Sequence, residues 1–191
     1  LLQFVGMRLV DVSDGIFHKH DPRITINFSA IAKGFAVDQV ANMFNRQGIE
    51  NYMVEIGGEV IAKGLNAKGK PWRIGINKPV EHRTNADNEI HETVELVDDA
   101  IATSGNYRNY YIYDGVIISH TIDPKSGYPV RHSLLSSTVW APSCAVADAY
   151  ATAFMVMGID KAKILLQKHP ELKAYFIFPD EDGEFQTWTN R

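Results

Sequence analysis

Residues 29–64 read SAIAKGFAVDQVANMFNRQGIENYMVEIGGEVIAKG, and the change of period inside this stretch decides the fold class. From Ser29, whose hydroxyl suits an N-cap, Phe35, Ala36, Val40, Met43 and Phe44 recur at helical spacing, and Gly48 stands where a helix-ending glycine belongs. Past Asn51 the pattern becomes that of strands. NYMVEI and EVIAKG flank the paired glycines Gly57 and Gly58, and WRIGIN at 72–77 alternates Trp72, Ile74 and Ile76, so consecutive antiparallel strands are expected after the helix.

The same two patterns recur outward. MRLVDV at 7–12 before SDG predicts a strand and a turn, and residues 79–92 are polar enough to predict a loop. RNYYIY and GVIISHT flank Asp114-Gly115, a type I′ hairpin signal, and DPKSGYP at 123–129 is dense in turn formers. SSTVW predicts a short strand. Pro142-Ser143 then opens a second helix, CAVADAYATAFMVMG, rich in small residues and ending at Gly158, and Asp160 can cap a third. KAYFIF and EFQTWT predict a closing hairpin around Asp182 and Gly183. With no internal repeat, linker or low-complexity stretch, the fold class is α+β: a largely antiparallel sheet covered by helices.

Composition narrows the function. The 191 residues are 45% hydrophobic and 22% charged, an ordinary globular balance that can bury a core. The formal net charge is −4 and Lys and Arg are scattered, which excludes the electrostatic footprint of a nucleic-acid or anionic-membrane binder. An anionic ligand therefore needs local help, such as a metal ion. No apolar run is long enough to span a bilayer, and LLQFVGMRLVDVSDG at the start lacks the features of a signal peptide. Position 1 is not Met and the first residues read as the inside of a strand, so a chain beginning within a longer protein is expected. Cys144, alone, excludes an internal disulfide and a thiolate zinc site, and is expected as a buried small hydrophobe.

Four places can carry chemistry. In ADAYAT, Asp148 and Thr152 stand four apart on the second helix, so a carboxylate and a hydroxyl share one face as hard donors suited to magnesium. AIAKGFAVD sets Ala30, Ala32, Gly34 and Ala36 around Lys33, where small residues admit either a ligand or another helix. There Lys33 can meet a phosphate and Asp38 a ribose or ring donor. EIGGE ends a strand at Glu55 before two glycines that can expose backbone amides. TSGNYRNYY and SHTIDP gather Ser104, Asn106, Tyr107, His120, Thr121 and Asp123 beside one hairpin, with His120 a candidate base or phosphate contact. Taken singly, each also has a plain structural explanation.

In order, these stretches resemble the ApbE-type FAD:protein FMN transferases along nearly the whole chain. The matching motifs are AIAKGFAVD at 30–38, VEIGGE at 54–59, WRIGI at 72–76, ATSGNYRNYY at 102–111, SHTIDPKSGYPV at 119–130 and APSCAVADAYATAFMVMG at 141–158. Within them Phe35 stands where Tyr is common and Tyr150 where Leu is common. The resemblance implies two related α+β halves, with 1–191 the C-terminal part of a single transferase domain whose N-terminal region adds strands and flavin contacts. It implies FAD as substrate and Mg2+ held by the carbonyl of Ala30 or a neighbour with Asp148 and Thr152. Lys33, Asp38, Glu55, Ser104, His120 and Thr121 would line the flavin or its phosphates, and His120, with Asp123 close by, would handle the acceptor proton. The implied reaction moves FMN from FAD to a Ser or Thr hydroxyl and releases AMP. FAD hydrolysis to FMN and AMP, or FAD binding without catalysis, are the alternatives. The implied acceptors are subunits of flavin-dependent electron-transfer systems at the bacterial cell envelope, in the periplasm or on the outer surface, the full-length protein being lipid-anchored.

Overall fold

The computed structural model describes residues 2–79, 89–106, 110–113, 116–119 and 121–191. After two 3-10 turns, Leu2–Phe4 and Met7–Leu9, the chain forms a hairpin of β1 (Val10–Ser13) and β2 (Ile16–Lys19). Asp14 and Gly15 both adopt positive φ at its tip, as a right-twisted two-residue turn requires. The strand read over 7–12 thus begins three residues late.

Helix α1 (Ala32–Arg46) ends at Gln47 and is followed by Gly48 at φ +74°. Its start is Ile31, with no side-chain cap; the expected cap Ser29 lies in the preceding turn, where its amide donates to the Asn27 side chain. The buried face also differs from the one read in the sequence. Gly34, Val37 and Ala41 face inward, Val40 and Phe44 flank them, and Phe35 and Met43 point to solvent. Period alone finds a helix; the stripe of small residues, not the bulkiest one, meets its neighbour.

β3 (Tyr52–Ile56), β4 (Glu59–Lys63) and β5 (Trp72–Asn77) follow as read, but β5 leaves the main sheet to pair with β6 (Ile90–Leu96), which occupies part of the span read as loop. Then come β7 (Asp99–Gly105), β8 (Tyr110–Tyr113), β9 (Val116–Ser119), β10 (Ser136–Ala141), α2 (Cys144–Met157), α3 (Ile159–Leu166), β11 (Lys173–Pro179) and β12 (Phe185–Thr189). β8 and β9 pair as expected; the turn at Asp114-Gly115 lies outside the described residues. Ser143 caps α2 through its hydroxyl, which accepts the Val146 amide. Gly158, not Asp160, precedes α3, and Asp160 sits in its first turn.

A six-stranded antiparallel sheet, ordered β12-β11-β10-β7-β4-β3, divides two cores. On one face the helices pack: Ala102, Val139, Ala174 and Phe176 of the sheet meet Ala147, Ala151 and Phe154 of α2, while α1 covers β3 and β4 through Val37, Tyr52 and Val54. The β5–β6 hairpin closes the other face, setting Trp72, Ile76, Val94 and Leu96 against Val60, Ile101, Trp140 and Ile177. The α+β, antiparallel reading is borne out. Cys144 is the expected buried thiol, fully enclosed at the junction of α2 with the sheet, and burial drives its pKa far up. Among the described residues, no helix is long and apolar enough to cross a membrane.

Candidate functional site

Where β3 turns into β4 and β7 ends, the strand ends and the start of α1 enclose a cavity of about 650 Å3, within the roughly 300–1,000 Å3 usual for small-molecule sites. Lys33, Glu55, Ser104, Thr121, Asp148 and Thr152 all line it, brought together from α1, β3, β7, the segment after β9 and α2.

The packing of α1 on α2 places the most consequential side chain. A Cβ added at Gly34 would lie 2.3 Å from the Cys144 carbonyl oxygen, so only glycine lets these helices approach so closely. At that distance the Gly34 amide donates to Asp148 Oδ2 over 3.0 Å. Asp148 is 3% exposed, and burial raises its pKa, an effect opposed by the Gly34 amide and the charge of Lys33. Its other oxygen makes no hydrogen bond among the described residues. One turn along α2, Thr152 Oγ1 lies 3.0 Å from Ser104 Oγ.

Such a donor set fits a hard cation that keeps water or ligand oxygens in its shell. Among the described residues, no three His, Cys, Asp or Glu side chains gather to form an all-protein metal cage. Asp148 and Thr152 would hold magnesium from α2. Ala30 lies in the turn between the lining residues Ser29 and Lys33, and is not itself among the lining residues.

Lys33 Nζ approaches Glu59 to 2.6 Å at Oε1, where it donates a hydrogen bond, and to 2.6 Å at Oε2. Glu59 is 1% exposed, and burial raises its pKa although Lys33 pulls it down. Sequence reading stopped at Glu55 in EIGGE and missed this second carboxylate. It missed Arg73 and Asn77 too, which WRIGIN brings to the cavity wall, and Met155 of α2. Asn106 lines the cavity and accepts a 2.6 Å hydrogen bond from the Thr121 hydroxyl.

Two expected site residues do other work. Asp38 is not on the cavity: its carboxylate accepts the Cys144 amide at 2.8 Å and the Ala145 amide at 2.9 Å, capping α2 from α1. With Val146 bonded to Ser143, the first amides of α2 are satisfied by protein, and that helix end offers no anion site. Asp123, expected as catalytic, builds its own loop. Its carboxylate accepts the Lys125 amide, its backbone bonds Gly127 and Tyr128, and it borders a separate depression near Lys161. The Lys125 amide holds its pKa below the usual carboxylate range. His120 and Tyr107 lie outside the described residues.

The strand ends of this antiparallel α+β chain thus border a cavity lined by carboxylates and hydroxyls. The family model "ApbE family" matches residues 1–176, and the chain belongs to that family. It is 44% identical over 93% of its length to a FAD:protein FMN transferase of Vibrio cholerae, covering 52% of that protein. With the enzyme of the same name from Klebsiella pneumoniae it shares 38% identity, over 95% of this chain and 51% of the relative. The solved "Flavin Transferase ApbE from Vibrio cholerae" superimposes with a TM-score of 0.85 at 40% identity, covering 98% of this chain and 58% of that one. An ApbE protein of Thermotoga maritima gives 0.79 at 30% identity, covering 97% of this chain and 58% of that one. The chain thus spans about half the length of the curated relatives it matches.

Proposed function

We propose that this chain forms the catalytic part of a magnesium-dependent FAD:protein FMN transferase, moving FMN from FAD to a Ser or Thr hydroxyl of an acceptor protein. The observation that carries this reading is the convergence of Lys33, Asp148, Thr152 and Ser104 on one cavity, although 48 and 114 residues separate the partners in its two longest-range bonds. Cleavage breaks the pyrophosphate bond of FAD, forms a phosphoester to the acceptor oxygen and releases AMP, which takes up the acceptor proton. Such transfers rest on positioning and charge neutralisation more than on covalent catalysis.

Each residue has a part. Asp148 and Thr152 would hold magnesium, which when bound would neutralise pyrophosphate charge and polarise the phosphorus. Lys33 meets a phosphate oxygen from the α1 side, its ammonium kept in place by Glu59. The paired glycines at 57 and 58, both at positive φ, keep the β3–β4 turn low beneath the ligand beside Glu55. Ser104 and Asn106 offer hydrogen bonds to polar atoms of the flavin half. His120 handles the acceptor proton. The relatives bearing this name supply the choice of FAD over other dinucleotides.

Incubating the protein with FAD and magnesium, with and without an acceptor subunit of a flavin-dependent electron-transfer system, tests the reading. Covalent FMN on the acceptor with stoichiometric AMP is expected. FMN and AMP released without acceptor labelling would make the protein a FAD hydrolase, and intact FAD would make it a binding protein. In this reading the full-length protein works at the bacterial envelope, checked by fractionating cells for the native protein.

A further inference from the structure

Glu59 is 1% exposed beneath the cavity and, among the described residues, has a single cation for a partner. Its Oε2 receives no well-directed hydrogen bond, so Lys33 and Glu59's own backbone amide are what offset its charge. Lys33 meanwhile is seated against the β3–β4 turn: a Cβ on Gly57 would lie 3.2 Å from Lys33 Cδ. The ammonium is therefore fixed, and half neutralised from below, before any ligand arrives.

The charges around the cavity can be summed. Among the described residues, Lys33 and Arg73 supply +2, and Glu55, Asp148 and the underlying Glu59 supply −3, leaving −1. A pyrophosphate diester carries two negative charges at neutral pH. The described residues, summing to −1, repel it; with a divalent cation on Asp148 the same residues sum to +1 and attract it. Without Glu59 the sum before metal would be zero.

We propose that Glu59 is a positioning residue whose charge makes the cavity's hold on a pyrophosphate depend on a divalent cation. The inference rests on FAD occupying this cavity, and it goes beyond that reading by naming the group that couples metal to dinucleotide. Coupling of this kind is a ratio of affinities and needs no turnover to be measured. It would keep the site from filling with metal-free FAD, or with any other nucleotide pyrophosphate, in a state that cannot react.

FAD affinity measured by flavin fluorescence quenching, once in EDTA and once in excess magnesium, tests it. Glu59→Gln should tighten FAD binding in EDTA on the order of tenfold, the effect of removing one partly screened charge near the ligand, and should lower the ratio of the two affinities to match. Glu59→Asp keeps the charge and should keep the wild-type ratio. If Glu59→Gln leaves the EDTA affinity unchanged or weaker and the ratio intact, the inference is overturned; a ratio that falls equally in Glu59→Asp assigns the effect to shape and overturns it too. Should Glu59→Gln fail to fold, the wild-type protein decides: added salt should tighten metal-free FAD binding by screening repulsion, and weakening by salt would contradict the inference. Wild-type protein that binds no FAD even with magnesium would remove the functional reading itself, and this inference with it.

Discussion

Gly34→Ala is the sharpest probe of how α1 and α2 build the site. The new Cβ would sit 2.3 Å from the Cys144 carbonyl oxygen and 2.8 Å from the Ala145 Cα, both backbone atoms that cannot rotate away. Ordinary contact begins near 3.4 Å, so the helices must part by about 1.1 Å (3.4 − 2.3). Such a shift stretches the 3.0 Å bond from Gly34 to Asp148 beyond hydrogen-bond range. Overpacking costs about 1–3 kcal/mol, and the lost buried bond adds about 1 kcal/mol. Alanine returns about 1 kcal/mol of helix propensity. The net loss is about 2 kcal/mol, which for a chain of this size lowers the thermal midpoint by about 4–8 °C. Circular dichroism without ligand gives the midpoint, and flavin quenching in magnesium buffer gives the affinity. Both should fall, because the helix contact and the Asp148 carboxylate are one structure. An unchanged midpoint would refute the close helix approach; a lowered midpoint with unchanged FAD affinity would detach Asp148 from the ligand.

Three further outcomes are expected. Asp38→Ala strands two α2 amides and should cost about 1–3 kcal/mol in urea unfolding; FAD affinity reduced far beyond the stability loss would return Asp38 to the ligand. Burial raises the carboxyls of Asp148 and Glu59, so their contribution to ligand-free stability is present below the unfolded carboxylate range near pH 4 and is lost as pH rises through their raised folded values. Asp148→Asn should therefore lose less stability than wild type between pH 4 and 7 while losing magnesium-dependent FAD turnover, and a steeper loss would show the charge to be stabilising on its own. Cys144, fully buried with its thiol pKa pushed up, should react with a disulfide reagent only when the protein unfolds; rapid labelling of native protein would contradict its enclosure.

Much of this was legible in the sequence for physical reasons that can be named. Ser143 and Gly158 bracket α2 with a cap and a stop, and Gly57-Gly58 marks a hairpin, so these elements announce themselves locally. β7 did not. It is the central strand between β4 and β10, yet DAIATSG offers Ala, Thr and Ser where a buried strand usually shows branched apolar residues, and the turn before it uses Asp98 at φ +50° instead of glycine. Those small residues are what leaves room for α2, so the feature that hid the strand also shapes the cavity. Asp148 and Thr152 were legible because one helix carries both. Glu59 and the work of Asp38 were not, because each depends on a partner in a different element, 26 residues away for Lys33 and 106 for Cys144.

The two bonds that tie α1 to α2 run in opposite senses. Gly34 of α1 gives its amide to Asp148 of α2, and one turn on, Asp38 of α1 takes the amides at the start of α2, one turn back from Asp148. Each helix is both host and guest of the other, and the spacing that matches is a single helical turn on each side. The residues between these partners can vary in identity under this arrangement, because Gly34, Asp38 and Asp148 set the register. Insertions and deletions cannot: one residue gained or lost between Gly34 and Asp38, or between Cys144 and Asp148, would rotate one carboxylate by about 100° away from its amide. Across homologous chains, the positions between Gly34 and Asp38 and between Cys144 and Asp148 should therefore vary in identity before they vary in number.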